Sequence, residues 1–370
     1  MTTQSPTPPG VSRGRLSVRL AAVLAVAALA AAIPLAQGAG GAASGASAAP
    51  APLERPIRVA AVGDTVMGSL PYGLPPDRGR GLFTAVRPLL VGDVVMGNFE
   101  GTLTKRGSSK CGPRPGPNCY AFHTPPSFAP RLRHAGFTVM SVANNHADDF
   151  GAPGRADTRR NLARVGVRAT GWPGSIAYLK VAGGEVAVLG FAFNTFSNSS
   201  LNIPRAKALV ARAAARAPVV IVNVHAGAEG AGATHVRPGT ETFLGENRGD
   251  SLRFAHAAVD AGADLVVMHG PHVLRGMEFY RSRLVAYSMG NFMGYAVFSL
   301  TGGKNQSGVL DVRLAPDGAF RSGVLHPVQL VGKGVPTPGG SAISRVRALS
   351  AQDFGARGAV IGVDGAIGRP

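Results

Sequence analysis

Five short apolar runs in this chain stop abruptly at side chains able to bind a metal, and that recurrence limits the folds open to it. Residues 57–62 run into Gly63 and Asp64, and 93–97 into Asn98 and Glu100. Residues 136–143 run into Asn144, Asn145 and His146, 219–224 into His225, and 264–268 into His269 and His272. Runs of this length, rich in Val, Ile and Met and bounded by glycine, read as buried strands. Ligands of open α/β sheets gather at the carboxyl ends of strands. The chain is therefore expected to be an α/β protein with its site along one edge of the sheets.

Between these runs, helices are expected at 82–90, at 126–135 with Pro125 or Pro126 near the first turn, at 205–216 and at 248–261. Residues 154–165 read as an amphipathic helix whose Arg and Asp side chains face water while Leu162 and Val165 face inward. Hairpins are expected at 176–191 about Gly183-Gly184, at 277–287, and at 308–330 about Asp317-Gly318. No internal repeat is present.

Arg13, Arg15 and Arg19 precede an Ala/Leu/Val run at 20–36 and a small-residue exit, the pattern of a secretory signal. We expect a cleaved signal peptide at 1–38 and secretion, the alternative being an N-terminal membrane anchor. An Ala/Gly/Ser/Pro linker at 39–56, a domain at 57–331 and a glycine-rich tail at 332–370, with one helix near 342–350, would follow. Cys111 and Cys119 bracket a Pro/Gly loop; outside the cytoplasm such a pair reads as a disulfide, stabilising by roughly 2.6 kcal/mol.

The formal charge of +18 comes chiefly from arginines, among them Arg131, Arg133, Arg155, Arg159, Arg160, Arg164, Arg212 and Arg216. No nucleic-acid motif surrounds them, so nucleic acid is not an expected partner. A surface of this sign favours acidic polymers or other acidic cell-surface substrates.

Carboxylate, amide and imidazole at strand ends suit a borderline divalent metal such as Zn²⁺, Mn²⁺ or Fe²⁺. The residues Gly63-Asp64-Thr65-Val66, Gly97-Asn98-Phe99-Glu100-Gly101, Ala143-Asn144-Asn145-His146, Val224-His225-Ala226-Gly227, Pro271-His272 and Gly290-Asn291-Phe292 carry a resemblance as well. From about residue 57 to 330 the chain resembles the CapA-type capsule-synthesis proteins, which are associated with poly-γ-glutamate. Their fold is similar to that of the calcineurin-like metallophosphoesterases.

The resemblance implies a layered α/β/β/α sandwich holding two divalent metals, Mn, Zn or Fe. Asp64, Glu100, Asn145, His225, His269 and His272 would be the ligands, and His146 would donate a proton to the reacting group. Asn98 and Asn144 would support those ligands from behind, Asn144 by shaping the turn, and Glu229 and Glu278, which match the family, would be either such supports or structural residues. Four positions depart from the patterns. Val66 stands where the phosphoesterases place a His, Glu100 where they place a bridging Asp, Ala226 where the capsule family has Trp, and Gly270 where it has His. One metal position is therefore expected to be poorer.

The expected function is an exported metal-dependent hydrolase or transferase in poly-γ-glutamate capsule synthesis, export or surface attachment, partnered by capsule-synthesis machinery. The alternatives are a secreted metallophosphoesterase with another phosphorylated substrate and a noncatalytic polyanion-binding export factor. The missing imidazoles at Val66 and Gly270 keep the last in play.

Overall fold

Alternation along the strands is what stacks this chain into layers. In the Ile57–Val66 strand, Val59 and Ala61 point one way, Ala60 and Val62 the other, and both sets are buried. A strand apolar on both faces has to be covered on both. The computed structural model describes residues 50–114 and 116–370; the expected signal peptide, and the linker as far as residue 49, lie outside the described residues. No helix among the described residues is long and apolar enough to cross a membrane.

The first sheet runs, in spatial order, Val360–Ile361, Ala366–Gly368, Phe320–Val331, Gln306–Leu314, Ile57–Val66, Val94–Phe99, Val139–Ser141, Arg168–Thr170. Asn291–Gly294 pairs with Ile57–Val66, and Val335–Pro338 with Phe320–Val331. The second sheet runs Met277–Tyr280, Arg283–Ala286, Leu265–His269, Val219–His225, Gly184–Ala192, Ala177–Val181. Their inner faces meet in one core, where Val59, Met96 and Val312 pack with Val188, Ile221 and Val267. Each such fully buried aliphatic side chain contributes about 1.5–3 kcal/mol.

Helices close both outer faces. Leu132 from Ala129–Ala135 and Leu162 from Gly151–Arg164 cover Ala60, Val62 and Val95. Val210 from Ile203–Ala214 and Phe254 from Ser251–Asp260 cover Leu189, Val222 and Val266. This is the layered α/β/β/α sandwich. The parallel strands Ile57–Val66, Val94–Phe99 and Val139–Ser141 of one sheet, and Val219–His225 and Leu265–His269 of the other, bring their carboxyl ends to the site.

Several expectations are corrected. Residues 82–90 make turns and only a short 3₁₀ helix at Arg87–Leu89, because Gly81 and Pro88 leave too few residues to nucleate an α-helix. Asp157 does not face water: it is buried, accepting from Arg106 and Thr104. The fourth long helix starts at Ser251, where Asp250 caps it by accepting from Arg253 N; Arg248 belongs to the preceding strand Glu246–Gly249 and is buried. At the domain's start, Leu53 is buried and its N–H donates to Pro316 O at 3.0 Å. Beyond Val331 the chain returns to the first sheet, and helix Ala342–Phe354 sends Ala342 and Val346 into the inner core. Cys111 and Cys119 are joined in a disulfide.

Candidate metal centre

Asp64 is presented by a break in register rather than by a strand's end. The pairing of Ile57–Val66 with Val94–Phe99 shifts between Ala61 and Asp64. Gly63 permits it, since a Cβ there would lie 1.9 Å from Gly290 O. Asp64 N donates to that same carbonyl at 2.9 Å. Asp64 then stands opposite both Asn98 and Asn291. Across the sandwich, His225 and His269 are register partners on adjacent parallel strands. His272 follows in the left-handed region at φ 60°, a conformation that a non-glycine residue adopts at a cost.

Four predicted ligands converge. His225 Nδ1 lies 3.5 Å from Asp64 Oδ1 and its Nε2 3.8 Å from Glu100 Oε1. His272 Nδ1 lies 3.3 Å from Asp64 Oδ2 and its Nε2 3.7 Å from Glu100 Oε1. Ligand atoms of Asp64, Glu100 and His272 fall within 4.8 Å of one another. Asn98 supports them from behind, its Nδ2 donating to Asp64 Oδ1 at 2.7 Å and lying 3.1 Å from His225 Nδ1. Asn291 Oδ1 holds His272 Nδ1 at 2.8 Å.

The electrostatics call for positive charge between the carboxylates. Burial pushes the Glu100 carboxyl well above its ordinary range, and Asp64, Glu229 and Asp149 push it further, with only His272 opposing. Burial works against ionising Asp64 too, yet the imidazoles of His225 and His272 hold it well below its usual value. Burial favours neutral His272, but Glu100, Asp64 and Glu229 outweigh it and raise the imidazole to about 10.

The other predicted residues divide. His146 stands beside the centre, Nε2 4.0 Å from Glu100 Oε1, with Nδ1 2.8 Å from Asp149 Oδ2. Burial lowers its pKa, and Asp149 opposes the shift. Asn144 shapes the turn: its Nδ2 donates to Asn98 Oδ1 and Phe99 O, and its Oδ1 accepts from His146 N. Asn145 Oδ1 is buried without a hydrogen-bond partner. Glu229 reaches His272 Nε2 at 3.7 Å while accepting from Arg248 at 2.6 Å. His269, the register partner of His225, has its Nε2 2.6 Å from Asn223 Nδ2 and its Nδ1 buried without a hydrogen-bond partner, and burial pushes its pKa down to about 4. Glu278 is not at the site; alternation along Met277–Tyr280 sends it to the outer face, where His256, Tyr287 and Arg357 bind it.

The residue reading missed Asp149, Lys110, Asn223 and Arg248. Asp149 lies three residues past His146 in the same turn, and Asn223 two before His225 on the same strand face, so both carried a local signal. Lys110, a loop residue 2.7 Å from Asp149 Oδ1, and Arg248, on the strand Glu246–Gly249, reach the site only through the tertiary fold and carried none.

Whether these residues suit a metal is answered by what they leave unsatisfied. Both Glu100 oxygens, His225 Nε2 and Asn145 Oδ1 are buried without hydrogen-bond partners. Orphaned buried acceptors cost about 1–3 kcal/mol each, more when charged, so a protein retains them where a ligand compensates. Carboxylates with imidazoles are the donor set of a borderline divalent cation. The residues fit one.

Comparison with known proteins identifies the family. The model of the family described as bacterial capsule synthesis protein PGA_cap matches residues 58–296. The chain is 30% identical over 251 residues to PGA biosynthesis protein CapA of Bacillus subtilis, covering 63% of this chain and 62% of that protein. It is 29% identical over 237 residues to capsule biosynthesis protein CapA of Bacillus anthracis, covering 58% and 53%. The matches thus span between about half and three fifths of those relatives. Among solved structures, Haemophilus influenzae NAD nucleotidase aligns with TM-score 0.38 at 13% identity, over 80% of this chain and 63% of that one. With its model matched over most of the domain, this chain belongs to the PGA_cap family of bacterial capsule synthesis proteins.

Proposed function

We propose that the chain is an exported, divalent-metal-dependent hydrolase or transferase acting on poly-γ-glutamate or on its attachment to the cell surface. The observation that carries this reading is the buried, unpartnered Glu100 carboxylate facing His225, His272 and His146. The substrate is supported by relatives named for PGA and capsule biosynthesis and by a charge of +18, which suits a polyanion. Export rests on the signal-like N-terminal sequence.

Asp64, Glu100 and His272, with His225, would hold the cation. When bound, it supplies Lewis acidity toward a carbonyl or phosphoryl oxygen and brings the pKa of water toward neutrality. Asp149 anchors His146 through Nδ1, which leaves Nε2 facing Glu100 to take up or deliver the proton of the reacting group. The Phe122 ring stacks on that imidazole at 4.0 Å, keeping it in plane and shielding one face from water. Arg248 holds Glu229 beside His272.

Elemental analysis of the purified chain tests the reading. Bound Mn, Zn or Fe is expected; a metal-free protein that takes up neither Mn²⁺ nor Zn²⁺ defeats it. In a metal-loaded sample, His146→Ala should slow polymer shortening or transfer by about 10² to 10⁴ while retaining metal. Turnover of an aryl phosphate with none of the polymer would move the substrate to a phosphoester.

A further inference from the structure

A narrow cleft adjoining the metal centre holds cationic charge that the fold leaves without a counter-ion. Gly101, Val142, Ala147, Arg155, Arg159 and Trp172 line it. Gly101 and Ala147 directly follow Glu100 and His146, so the cleft shares its wall with the centre. Arg155 and Arg159 stand one turn apart on helix Gly151–Arg164 and face the same side. Arg155 is paired with Asp148 and lies 5.6 Å from the ring centroid of Phe196, which also borders the cleft. Arg159 lies 5.0 Å over the Trp172 ring and has no hydrogen-bonding or ionic partner among the described residues.

Burial, and then the neighbouring Arg155, lower the pKa of Arg159, the sign of a guanidinium short of compensating charge. One of the two arginines is neutralised by Asp148, so the cleft presents a single net positive charge. Apart from Thr158, whose hydroxyl is committed to Gly154 O, its remaining walls are apolar. A guanidinium resting over an indole without a counter-ion keeps its fork of N–H donors available to a planar carboxylate, while apolar walls suit methylene groups. One positive charge matches a monoanion better than a phosphate dianion.

We propose that the mouth of this cleft, whose interior admits little more than one water molecule, is a substrate subsite for a carboxylate carried beside methylene groups, with Arg159 gripping the carboxylate and Trp172 packing on the chain beside it. It deepens and rests on the function proposed above only in naming the ligand's source: each repeat of poly-γ-glutamate presents one carboxylate beside two methylenes. Arg159 is a binding residue that would set the register of the polymer against His146.

Trp172 is the chain's single tryptophan, so its fluorescence reports on this cleft alone. The full chain would be titrated at constant ionic strength with N-acetylglutamine, a monoanion with the geometry of one repeat, and separately with inorganic phosphate. A saturable change with N-acetylglutamine and none with phosphate is expected. In Arg159→Gln the dissociation constant should rise about tenfold or more, as for the loss of a charge-assisted pair. Arg159→Lys, which keeps the charge without the fork, should fall between and guards against a misfolded variant. No saturable change, equal binding of phosphate, or wild-type affinity in both variants overturns the subsite. Because binding is read without turnover, that failure leaves the metal-dependent reading standing; a chain that holds no metal yet binds through Arg159 defeats that reading and not the subsite.

Discussion

Glu100 and Glu278 are both fully buried glutamates beside histidines, and they are opposites. Glu278 accepts from His256 and Tyr287 at 2.6 Å and from Arg357 at 2.9 Å. Burial alone would raise its pKa, and these partners bring it below the ordinary value. Glu100 has no hydrogen-bond partner at either oxygen and is pushed well above. A buried charge is tolerated only when paired, so the two carboxylates serve different ends. Glu278 ties the outer face of the second sheet to helix Ser251–Asp260 and to Arg357, whereas Glu100 is kept unsatisfied for something that binds.

The sharpest way to break this contrast is the same isosteric change at both positions. Glu100→Gln should weaken divalent metal binding by at least about a hundredfold, given that even residues behind metal ligands are worth 10- to 100-fold. The metal-free form should lose little stability, because the change replaces a buried carboxyl that no hydrogen bond satisfies. Calorimetric titration with Mn²⁺ or Zn²⁺, together with thermal melting, reads both effects. Glu278→Gln should do the reverse, binding metal as the parent does while losing about 2–4 kcal/mol of stability in denaturant unfolding. Metal loss in the second variant, or destabilisation in the first, would erase the distinction.

A third buried carboxylate lies between these extremes and sharpens the scale. Asp264 accepts from Val220 N at 2.8 Å and lies 3.0 Å from Arg283 Nη1, yet burial raises its pKa to about 6. Its folded value exceeds its unfolded value, so the stability linked to its protonated form is fully present below about pH 4. That stability is lost as pH rises through about 6, by at most about 3 kcal/mol for two units. Asp264→Asn should flatten the pH dependence of unfolding across that window; an unchanged slope would place the titration elsewhere.

Much of the site was legible because ligands at strand ends follow short apolar runs, and such runs are local. Asp64, Glu100, His225 and His272 were all named on that basis. Between the two roles open to Glu278, the structural one holds, and alternation along Met277–Tyr280 already turns it away from the neighbouring core residues Met277 and Phe279. The contact of His269 Nε2 with Asn223 depends on two adjacent strands keeping register, which no local pattern reveals, while its Nδ1 stays without a partner. Lys110, on a loop, and Arg248, on the strand Glu246–Gly249, approach the site in a way set by the whole fold.

By itself, then, the sequence determined the layers and the ends: alternating apolar residues make strands that must be covered on both faces, and polar side chains where those runs stop must gather at one edge. Which of them meet was decided only in three dimensions. Gly63 lets Gly290 approach closely enough to shift the register at Asp64, and the two sheets bring His225 and His272 onto the same carboxylates while Asn223 holds His269 through Nε2. Convergence of this kind depends on contacts more than two hundred residues apart in some pairs, as between Asp64 and the Gly270 N–H, and no local pattern encodes it.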